Sequence, residues 1–443
     1  MKSIQNYCLM LMAALAVSIA GVEPVRPDLV VRVTNPDGSA ITNATILVYT
    51  AAPQTGVSSL CPSCFADCWK QTTTGTNGEF VIPSLDPTLM FRLLALAPEH
   101  ESKFLDNVNP ACGVTNITLK FLDVNATSPD LRISGLIIGD DGQAIVGATI
   151  QAQGVSSGNG SQQWGGASRF VDETAISDTN GRFLIRCKSK IELIYAMATA
   201  RGAAPRPVQL QPGRDFLIRM HDGVTVTGRL VATNIPVSGA VLRVMAENRI
   251  SGEYFITDKI STDTNGYFSI PSLPAEKGLI LFGTMDSLQG KGVLSPKQFT
   301  SGKNKTTTDL GDLELQPGYQ ISGQIVLTDG KPIPARTRLL LARQEASDYA
   351  DVVLTTDGHF VFQSVPAESV SLSARLKDYK YSHRNPSLDW LNNQIIGKVS
   401  GDITNLTLIM EPGEFHFTPN HDDVPEGVDI QPRDKPLRGV SPN

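Results

Sequence analysis

One short motif recurs four times along this chain and constrains its fold more than any other feature. Each copy is a Thr-Asn-Gly or Thr-Asp-Gly tripeptide followed by one further residue and then phenylalanine. The copies are Thr76-Asn77-Gly78-Glu79-Phe80, Thr179-Asn180-Gly181-Arg182-Phe183, Thr264-Asn265-Gly266-Tyr267-Phe268 and Thr356-Asp357-Gly358-His359-Phe360. Asn-Gly and Asp-Gly tolerate positive φ at both positions of a two-residue hairpin turn. The motif therefore predicts four β-hairpins in repeats of about 90 residues.

A second feature recurs upstream of each motif: a β-rich run, a turn of Gly, Asp or Asn, and another β-rich run. It occupies 29–46, 133–150, 226–242 and 321–335. Pro-Gly ends several alternating stretches, as at Pro317-Gly318, where a ladder cannot continue. Long helical periodicity is absent, and only 385–402 could be a short helix or an ordered loop. Short strands with frequent turns predict an all-β chain of antiparallel sandwiches.

These residues resemble the carboxypeptidase regulatory-like domain. The shared pattern is Ser-Gly-x-Ile/Val, Asp-Gly-x-x-Ile, Gly-Ala-Thr and then Thr-Asn-Gly-x-Phe, and the first copy is looser because Val31 replaces the glycine found at Gly135, Gly228 and Gly323. The resemblance implies a transthyretin-like (prealbumin-like) sandwich of seven strands, grouped with carbohydrate-binding-like folds. It implies a fold and not an activity, because the family is named after an accessory domain without catalytic residues.

The repeats predict a division of the chain into four tandem domains between two terminal segments. The predicted boundaries are 1–20 for a signal peptide, 29–124, 130–221, 222–315 and 316–411 for repeats 1 to 4, and 412–443 for a flexible, disordered Pro-rich tail. Exposed polar ends with many prolines are typical of extended chain.

The N-terminus predicts export. Lys2 precedes an apolar run from Cys8 to Ala20, and Ser18-Ile19-Ala20 has the small-x-small pattern of a cleavage site. The run is short for a membrane span, although a retained signal anchor is the alternative. Without another long apolar segment, the mature chain is expected to have no transmembrane segment. It is expected to be secreted, or to lie in the periplasm or cell envelope.

Charge and motifs argue against two classes of function. The formal net charge of −6 is opposite to the basic face that a nucleic-acid binder needs. None of the six histidines has the spacing of a zinc peptidase. Gly154-Val155-Ser156-Ser157-Gly158 matches a nucleophile elbow in letters but is followed by no helix, so a loop is predicted there. The sequence predicts no enzyme, no cofactor and no metal site.

The cysteines after the predicted cleavage site gather in the first repeat. Cys61, Cys64, Cys68 and Cys112 are candidates for disulfides, the default for an exported protein, with three possible pairings and a preference for Cys112 joining one of the other three. A metal cluster and redox activity of Cys61-Pro62-Ser63-Cys64 are the alternatives. Cys187 is predicted to be a buried core thiol.

Two further patterns could bind ligands. Trp164 and Trp390 are the aromatic candidates for a sugar site, while a role as core or loop anchors is the alternative. Asp178 and Asp263 begin loops that resemble calcium loops, but the downstream carboxylate is missing in both, so plain turns are predicted.

Together these features predict an exported, non-catalytic binding or structural module at the cell envelope or outside the cell. The predicted partner is an extracellular polysaccharide or an envelope protein, and not nucleic acid. A purely architectural spacer or matrix protein is the alternative, and an enzyme with an unrecognised site is the third possibility.

Overall fold

The computed structural model describes residues 25–54, 65–68, 70–158, 161–164, 167–172, 174–248, 252–335, 337–389 and 393–413. The predicted signal peptide, residues 1–20, lies outside the described residues, as do residues 414–443 of the predicted tail.

The described chain is almost entirely β, which confirms the predicted fold class at the level of repeated β-sandwiches. Its strands form eight sheets, and these lie in pairs along the chain. We call each pair of sheets a unit and number the units one to four. The one α-helix among the described residues is the short α1, Met285–Leu288. No described helix is long and apolar enough to cross a membrane.

Unit one shows the topology that the later units repeat. Its strands are β1 Leu29–Thr34, β2 Thr45–Pro53, β3 Gln71–Thr73, β4 Glu79–Ile82, β5 Leu89–Leu96, β6 Lys103–Val108 and β7 Val114–Thr118. One sheet has the order β4-β1-β7 and the other β3-β2-β5-β6. The first strand is central, antiparallel to β4 and parallel to the last strand, β7. Short 3₁₀ turns at Pro110–Cys112, Val124–Ala126 and Pro129–Leu131 lie in the connections that follow β6 and β7.

Units two and three keep this arrangement. The strands of unit two are β8 Arg132–Ile138, β9 Thr149–Ser156, β10 Gln162–Trp164, β11 Thr174–Ile176, β12 Arg182–Arg186, β13 Leu193–Thr199, β14 Arg206–Leu210 and β15 Arg214–Arg219, with a 3₁₀ turn at Ala167–Arg169. Those of unit three are β16 Val224–Ala232, β17 Ile235–Pro236, β18 Val241–Ala246, β19 Ile260–Ser261, β20 Tyr267–Leu273, β21 Gly278–Gly283, β22 Lys297–Thr300 and β23 Thr307–Glu314. In both units the first strand again lies between an antiparallel and a parallel neighbour.

Unit four has the same frame with an insertion. Its strands are β24 Tyr319–Leu327, β25 Arg338–Arg343, β26 Tyr349–Val353, β27 His359–Val365, β28 Ser369–Ala374, β29 Tyr379–Tyr381, β30 Leu388–Asp389, β31 Gln394–Lys398 and β32 Ile403–Pro412. The inserted β29 pairs with β32 and widens the first sheet to β27-β24-β32-β29. The sequence predicts a short helix or an ordered loop over 385–402. The described part of it contains β30 and β31 instead, because Ile395 is buried while β31 pairs with β28.

The core of each unit lies between its two sheets and uses the phenylalanine of the repeated motif. Phe183 lies opposite Gly135 across the β8–β12 ladder, and Phe268 lies opposite Gly228. A Cβ on Gly135 would stand 2.5 Å from the Phe183 ring, so only glycine leaves room for the aromatic side chain. In unit one Val31 takes the place of the glycine and faces Phe80.

The turn of the repeated motif differs from the predicted two-residue hairpin. Asp178 N–H donates to the Arg182 carbonyl and Gly181 N–H to the Asp178 carbonyl, and only Gly181 has positive φ, at 76°. This is a type I turn followed by a left-handed glycine. A Cβ on Gly181 would stand 2.7 Å from the Ile137 carbonyl oxygen. The prediction was wrong because β11 and β12 belong to different sheets, so the turn crosses the sandwich instead of joining paired strands.

Candidate functional site

Trp164 lies on β10 and is half-buried. Its ring stacks on Tyr195, with 4.7 Å between the centroids, and Gln162 Nε2 donates to the Tyr195 hydroxyl at 2.8 Å. A Cβ on Gly154 would stand 2.6 Å from the indole, and one on Gly252, in unit three, would stand 3.0 Å away. These contacts are those of an anchor between units two and three, which leaves the predicted ligand contact as a prediction.

The other predicted site residues are described only in part. Trp390, Cys61 and Cys64 lie outside the described residues, and only the backbone of Cys112 is described, at the end of a 3₁₀ turn. Cys68 is buried in the core of unit one. The disulfide therefore stays a prediction.

Asp67 fixes the segment next to Cys68. Its buried carboxylate accepts two hydrogen bonds of 2.8 Å from Arg26 Nη2 and lies 2.8 Å from Lys70 Nζ. It also accepts the Asp86 N–H at 2.8 Å. Three donors on different parts of the chain therefore hold this cysteine segment against the rest of unit one.

The motifs that resembled catalytic or metal sites have structural partners. Ser156 lies in strand β9, not in the predicted loop, and its hydroxyl donates to Glu192 at 2.9 Å. Asp178 Oδ1 accepts the N–H groups of Asn180 and Arg182, so this carboxylate closes its own turn. Within the described ranges, no group of three or more His, Cys, Asp or Glu side chains is placed to hold a metal ion. Burial of Cys187 raises the pKa of its thiol to about 11.

Side chains from neighbouring units meet at three junctions, which no sequence motif indicated. At the first junction, between units one and two, Ile176 packs against the buried group of Tyr49, Leu94 and Leu96. Arg186 also bridges the two units: its Nη1 donates to Glu101 and its Nε to Asp172, both at 2.8 Å. A small apolar contact and a partly exposed arginine therefore hold this junction.

The second junction, between units two and three, centres on Asp140. Its carboxylate accepts from Asn304 Nδ2 at 2.6 Å and lies 2.6 Å from His221 Nδ1, while Lys305 Nζ stands 3.7 Å away. The hydrogen bond from Asn304, followed by that from His221, holds the pKa of Asp140 well below its usual range. His221 and Lys305 are each about half exposed, so this junction is open to water.

The third junction, between units three and four, centres on Arg343, whose side chain is 2% exposed. Its Nη1 donates to the Gly283 carbonyl at 2.8 Å and its Nη2 to the Leu294 carbonyl at 3.3 Å, both in unit three. In unit four its Nε donates to Glu368 Oε1, and Nη1 lies 3.5 Å from Asp348 Oδ2. We call Arg343, Asp348 and Glu368 the arginine cluster.

The carboxylates of the arginine cluster are buried with it. Burial raises the pKa of Asp348 to about 6, although the Met285 N–H, at 2.8 Å, and Arg343 act in the opposite direction. Burial likewise raises the pKa of Glu368, whose Oε2 has no hydrogen-bond partner among the described residues. Two acids thus share one guanidinium away from water.

Apolar contacts surround the arginine cluster. Met245, Ile280 and Phe282 of unit three form a buried group with Ala346 of unit four. Met285, in α1, belongs to the core of unit four, although it lies in unit three. The third junction is therefore a continuation of two cores, with one charged cluster inside it.

The described side chains at the junctions can bind a neighbouring unit and orient it, but they offer no nucleophile with an adjacent base. Arg343 is the functional residue that sequence reasoning missed, and a signal was present. Leu339 and Leu341 are fully buried on β25, and Arg343 shares their face because side chains alternate along a strand.

No protein-family model matches this chain, and no curated protein matches its sequence. Solved structures match it with low similarity. The Bacillus anthracis TIE protein has 9% identity over 85% of this chain and 70% of its own, with a TM-score of 0.19. A streptococcal ancillary pilin has 15% identity over 66% and 99% of the two chains, with a TM-score of 0.22. The major pilin subunit of Bacillus cereus has 10% identity over 64% and 99%, with a TM-score of 0.18. At these TM-scores the matches carry no argument about function.

Proposed function

We propose that this chain is an exported, non-catalytic structural protein whose tandem β-sandwiches form an array with fixed junctions. The observation that carries the proposal is the third junction, where Arg343 reaches two backbone carbonyls of the neighbouring unit from a buried position. Flexibly linked domains do not need such contacts, since relative motion is the default where interfaces are small and polar. A fixed spacing between units is what a spacer or matrix protein requires.

We further propose that the units are of the carboxypeptidase regulatory-like type. The glycine of the first strand and the phenylalanine of the later motif, which carried the resemblance, lie opposite each other in units two, three and four. This pairing gives a physical reason for the joint occurrence of the two distant motifs. It supports a common fold for the units and implies no catalytic role.

Small-angle X-ray scattering of the secreted, purified chain tests the array. We expect the maximum dimension of the wild-type monomer to be that of an array with its junction contacts in place. The same dimension should increase when Arg343→Ala and Asp140→Asn are combined, because both variants remove junction contacts. A wild-type chain that scatters as broadly as the double variant would contradict fixed junctions.

Retention on polysaccharides tests the competing function. The wild-type chain and Trp164→Ala are passed over insoluble polysaccharides and cell-wall fractions, and the structural proposal expects equal, non-saturable retention. Saturable retention that is lost in Trp164→Ala would instead assign a carbohydrate-binding function. Phe299→Ala, which removes a half-buried aromatic from unit three, controls for general loss of aromatic surface.

A further inference from the structure

The outer face of one sheet in unit two is basic around an apolar centre. This face, which we call the basic face, is the solvent side of β12-β8-β15. Inward-facing Ile133 and Ile218 are buried, so the alternate residues Arg132, Leu217 and Arg219 point outward. Leu217 is 62% exposed, which is unusual for leucine in the middle of a strand.

The charges of the basic face are unevenly balanced. Arg182 is 60% exposed and lies 3.6 Å from Asp215, the acid on this face. Arg132 and Arg219 use one N–H each on backbone carbonyls and keep their charge. Arg186, which also points outward from β12, is paired with Glu101 and Asp172 at the first junction. Arg132, Arg182 and Arg219 are therefore the arginines that this face can offer to a partner, against one aspartate.

The equivalent face of unit three has the opposite sign. This acidic face is the outer side of β16, β20 and β23, where Thr227 pairs with Asp309, Arg229 with Asp312 and Val231 with Glu314. All three acids are exposed. The face has one arginine, Arg229, which lies 3.6 Å from Asp312 and 5.5 Å from the ring centroid of Tyr267.

The two faces match in charge and in apolar content. Each is the outer side of a sheet with the same topology. Apart from Arg186, which is paired at the first junction, one has three arginines and one acid and the other three acids and one arginine. Each has an exposed apolar residue, Leu217 at 62% and Tyr267 at 54%. Arginine and tyrosine are the residue types enriched at protein interfaces.

We propose that the basic face of unit two binds the acidic face of unit three in a second copy of this chain. Apart from Arg186 at the first junction, the residues that carry the two faces are open to solvent within one chain, so the faces can pair between chains. The contact is heterologous: it gives a dimer if two copies pair reciprocally and an open assembly if they do not. The inference goes beyond the proposed array, since it assigns the way in which arrays associate.

The size of the faces sets the expected strength of binding. Three strands at about 4.8 Å spacing and about six residues in length give roughly 300 Å² per face. A stable complex of standard size buries about 800 Å² per partner. One pair of faces should therefore bind weakly, and salt should weaken the contact further, because exposed charges are screened.

Sedimentation velocity of the secreted, purified chain tests the pairing. We expect the weight-average sedimentation coefficient to rise with protein concentration at about 50 mM salt and to rise much less at about 500 mM. Reversing the basic face with Arg182→Glu and Arg219→Glu should weaken association at least about fivefold. Reversing the acidic face with Asp309→Lys and Asp312→Lys should have the same effect.

Mixing the two reversed chains gives the sharpest result. Neither should associate with itself, since the first has two acidic faces and the second two basic ones, but the mixture should associate like the wild type. Arg201→Glu with Lys297→Glu changes the net charge as the first reversal does, at exposed positions outside both faces, and should leave association unchanged. Thermal unfolding of each variant verifies that it is folded.

The proposal is overturned by a wild-type chain that stays monomeric at every concentration, or by a mixture that does not associate. If only the basic-face reversal weakens association, the face binds an acidic surface other than unit three, and the proposal is equally wrong. The fixed junctions are measured separately by scattering from the monomer, so they stand or fall independently of this result.

Discussion

The second and third junctions join units of the same topology by opposite means. At the second, Asp140 gathers His221, Asn304 and Lys305 at a surface where water reaches the charges. At the third, Arg343 is enclosed with its two acids. Water weakens each contact at the second junction and can replace it. Burial makes each contact at the third junction difficult to replace, because a charge left without its partner cannot return to solvent.

The difference implies that the four units do not form a uniformly stiff array. Units three and four share apolar side chains, since Met285 lies in the core of unit four. We therefore expect them to unfold together. Units two and three meet through polar groups that solvent can substitute and through the contact of Trp164 with Gly252, so we expect the second junction to bend before the third.

The largest expected effect comes from Arg343→Ala. The variant leaves Asp348 and Glu368 buried without their cation and removes two donors to carbonyls of unit three. Breaking a buried ion pair from one side costs about 3–5 kcal/mol of unfolding free energy. Urea unfolding should show this loss and a separate transition for unit four.

The matched control is Arg338→Ala, on the same strand. Arg338 pairs with Asp351 but is 49% exposed, so its loss should cost less than about 1 kcal/mol. Equal losses in the two variants would contradict the distinction between buried and exposed contacts.

The second largest effect is a pH dependence of the third junction. Asp348 has an ordinary pKa of 3.8 in the unfolded chain and about 6 in the folded one. Between these values the folded chain holds a proton that the unfolded chain has lost, so stability falls as pH rises through this window and is constant above it. At about 1.4 kcal/mol per pH unit, the total is of order 3 kcal/mol. Glu368, whose pKa burial also raises, acts in the same direction.

Unfolding free energies measured from pH 4 to pH 7 check this sign. In Asp348→Asn the decrease should be smaller, while Asp351→Asn, at a more exposed position on β26, should follow the wild type. Asp140 behaves in the opposite way: its lowered pKa supplies stability that is lost only as pH falls below 3.8. A wild-type chain that gains stability from pH 4 to pH 6 relative to Asp348→Asn would show that burial does not dominate at Asp348.

The sequence predicted the repeated β-sandwiches because their signals are local. Gly181 and Phe183 lie two residues apart. The glycine indicates a left-handed turn residue, and the phenylalanine indicates an aromatic side chain that faces the core. The same local argument failed for the hairpin. Nothing in Thr179-Asn180-Gly181 indicates that the strands on its two sides belong to different sheets.

The junctions could not be predicted in the same way, because their partners are distant in the chain. Asp140 and Asn304 are 164 positions apart, and Asp140 stands in an ordinary Asp-Gly turn. Arg343 was within reach of sequence reasoning as an inward-facing arginine, but the carbonyls that it meets belong to the backbone of Gly283 and Leu294. Every residue has a backbone carbonyl, so the sequence does not show which carbonyls accept a hydrogen bond from Arg343.

The smallest expected effect in free energy is that of Asp140→Asn at the second junction. Exposed ion pairs contribute less than about 1 kcal/mol, so the unfolding free energy should hardly change. The geometry should change more, because the Asp140 carboxylate contacts His221 of unit two as well as Asn304 and Lys305 of unit three. We expect the maximum dimension from small-angle scattering to increase. About 500 mM salt should increase it further in the variant, because salt screens the charged contacts that remain at this junction. Asp141→Asn removes the same charge from the next residue, whose carboxylate accepts the N–H of Gln143 within its own turn. It should leave the scattering unchanged. If Asp141→Asn widens the molecule as much as Asp140→Asn does, the charge of the turn, and not the contacts of Asp140, controls the second junction.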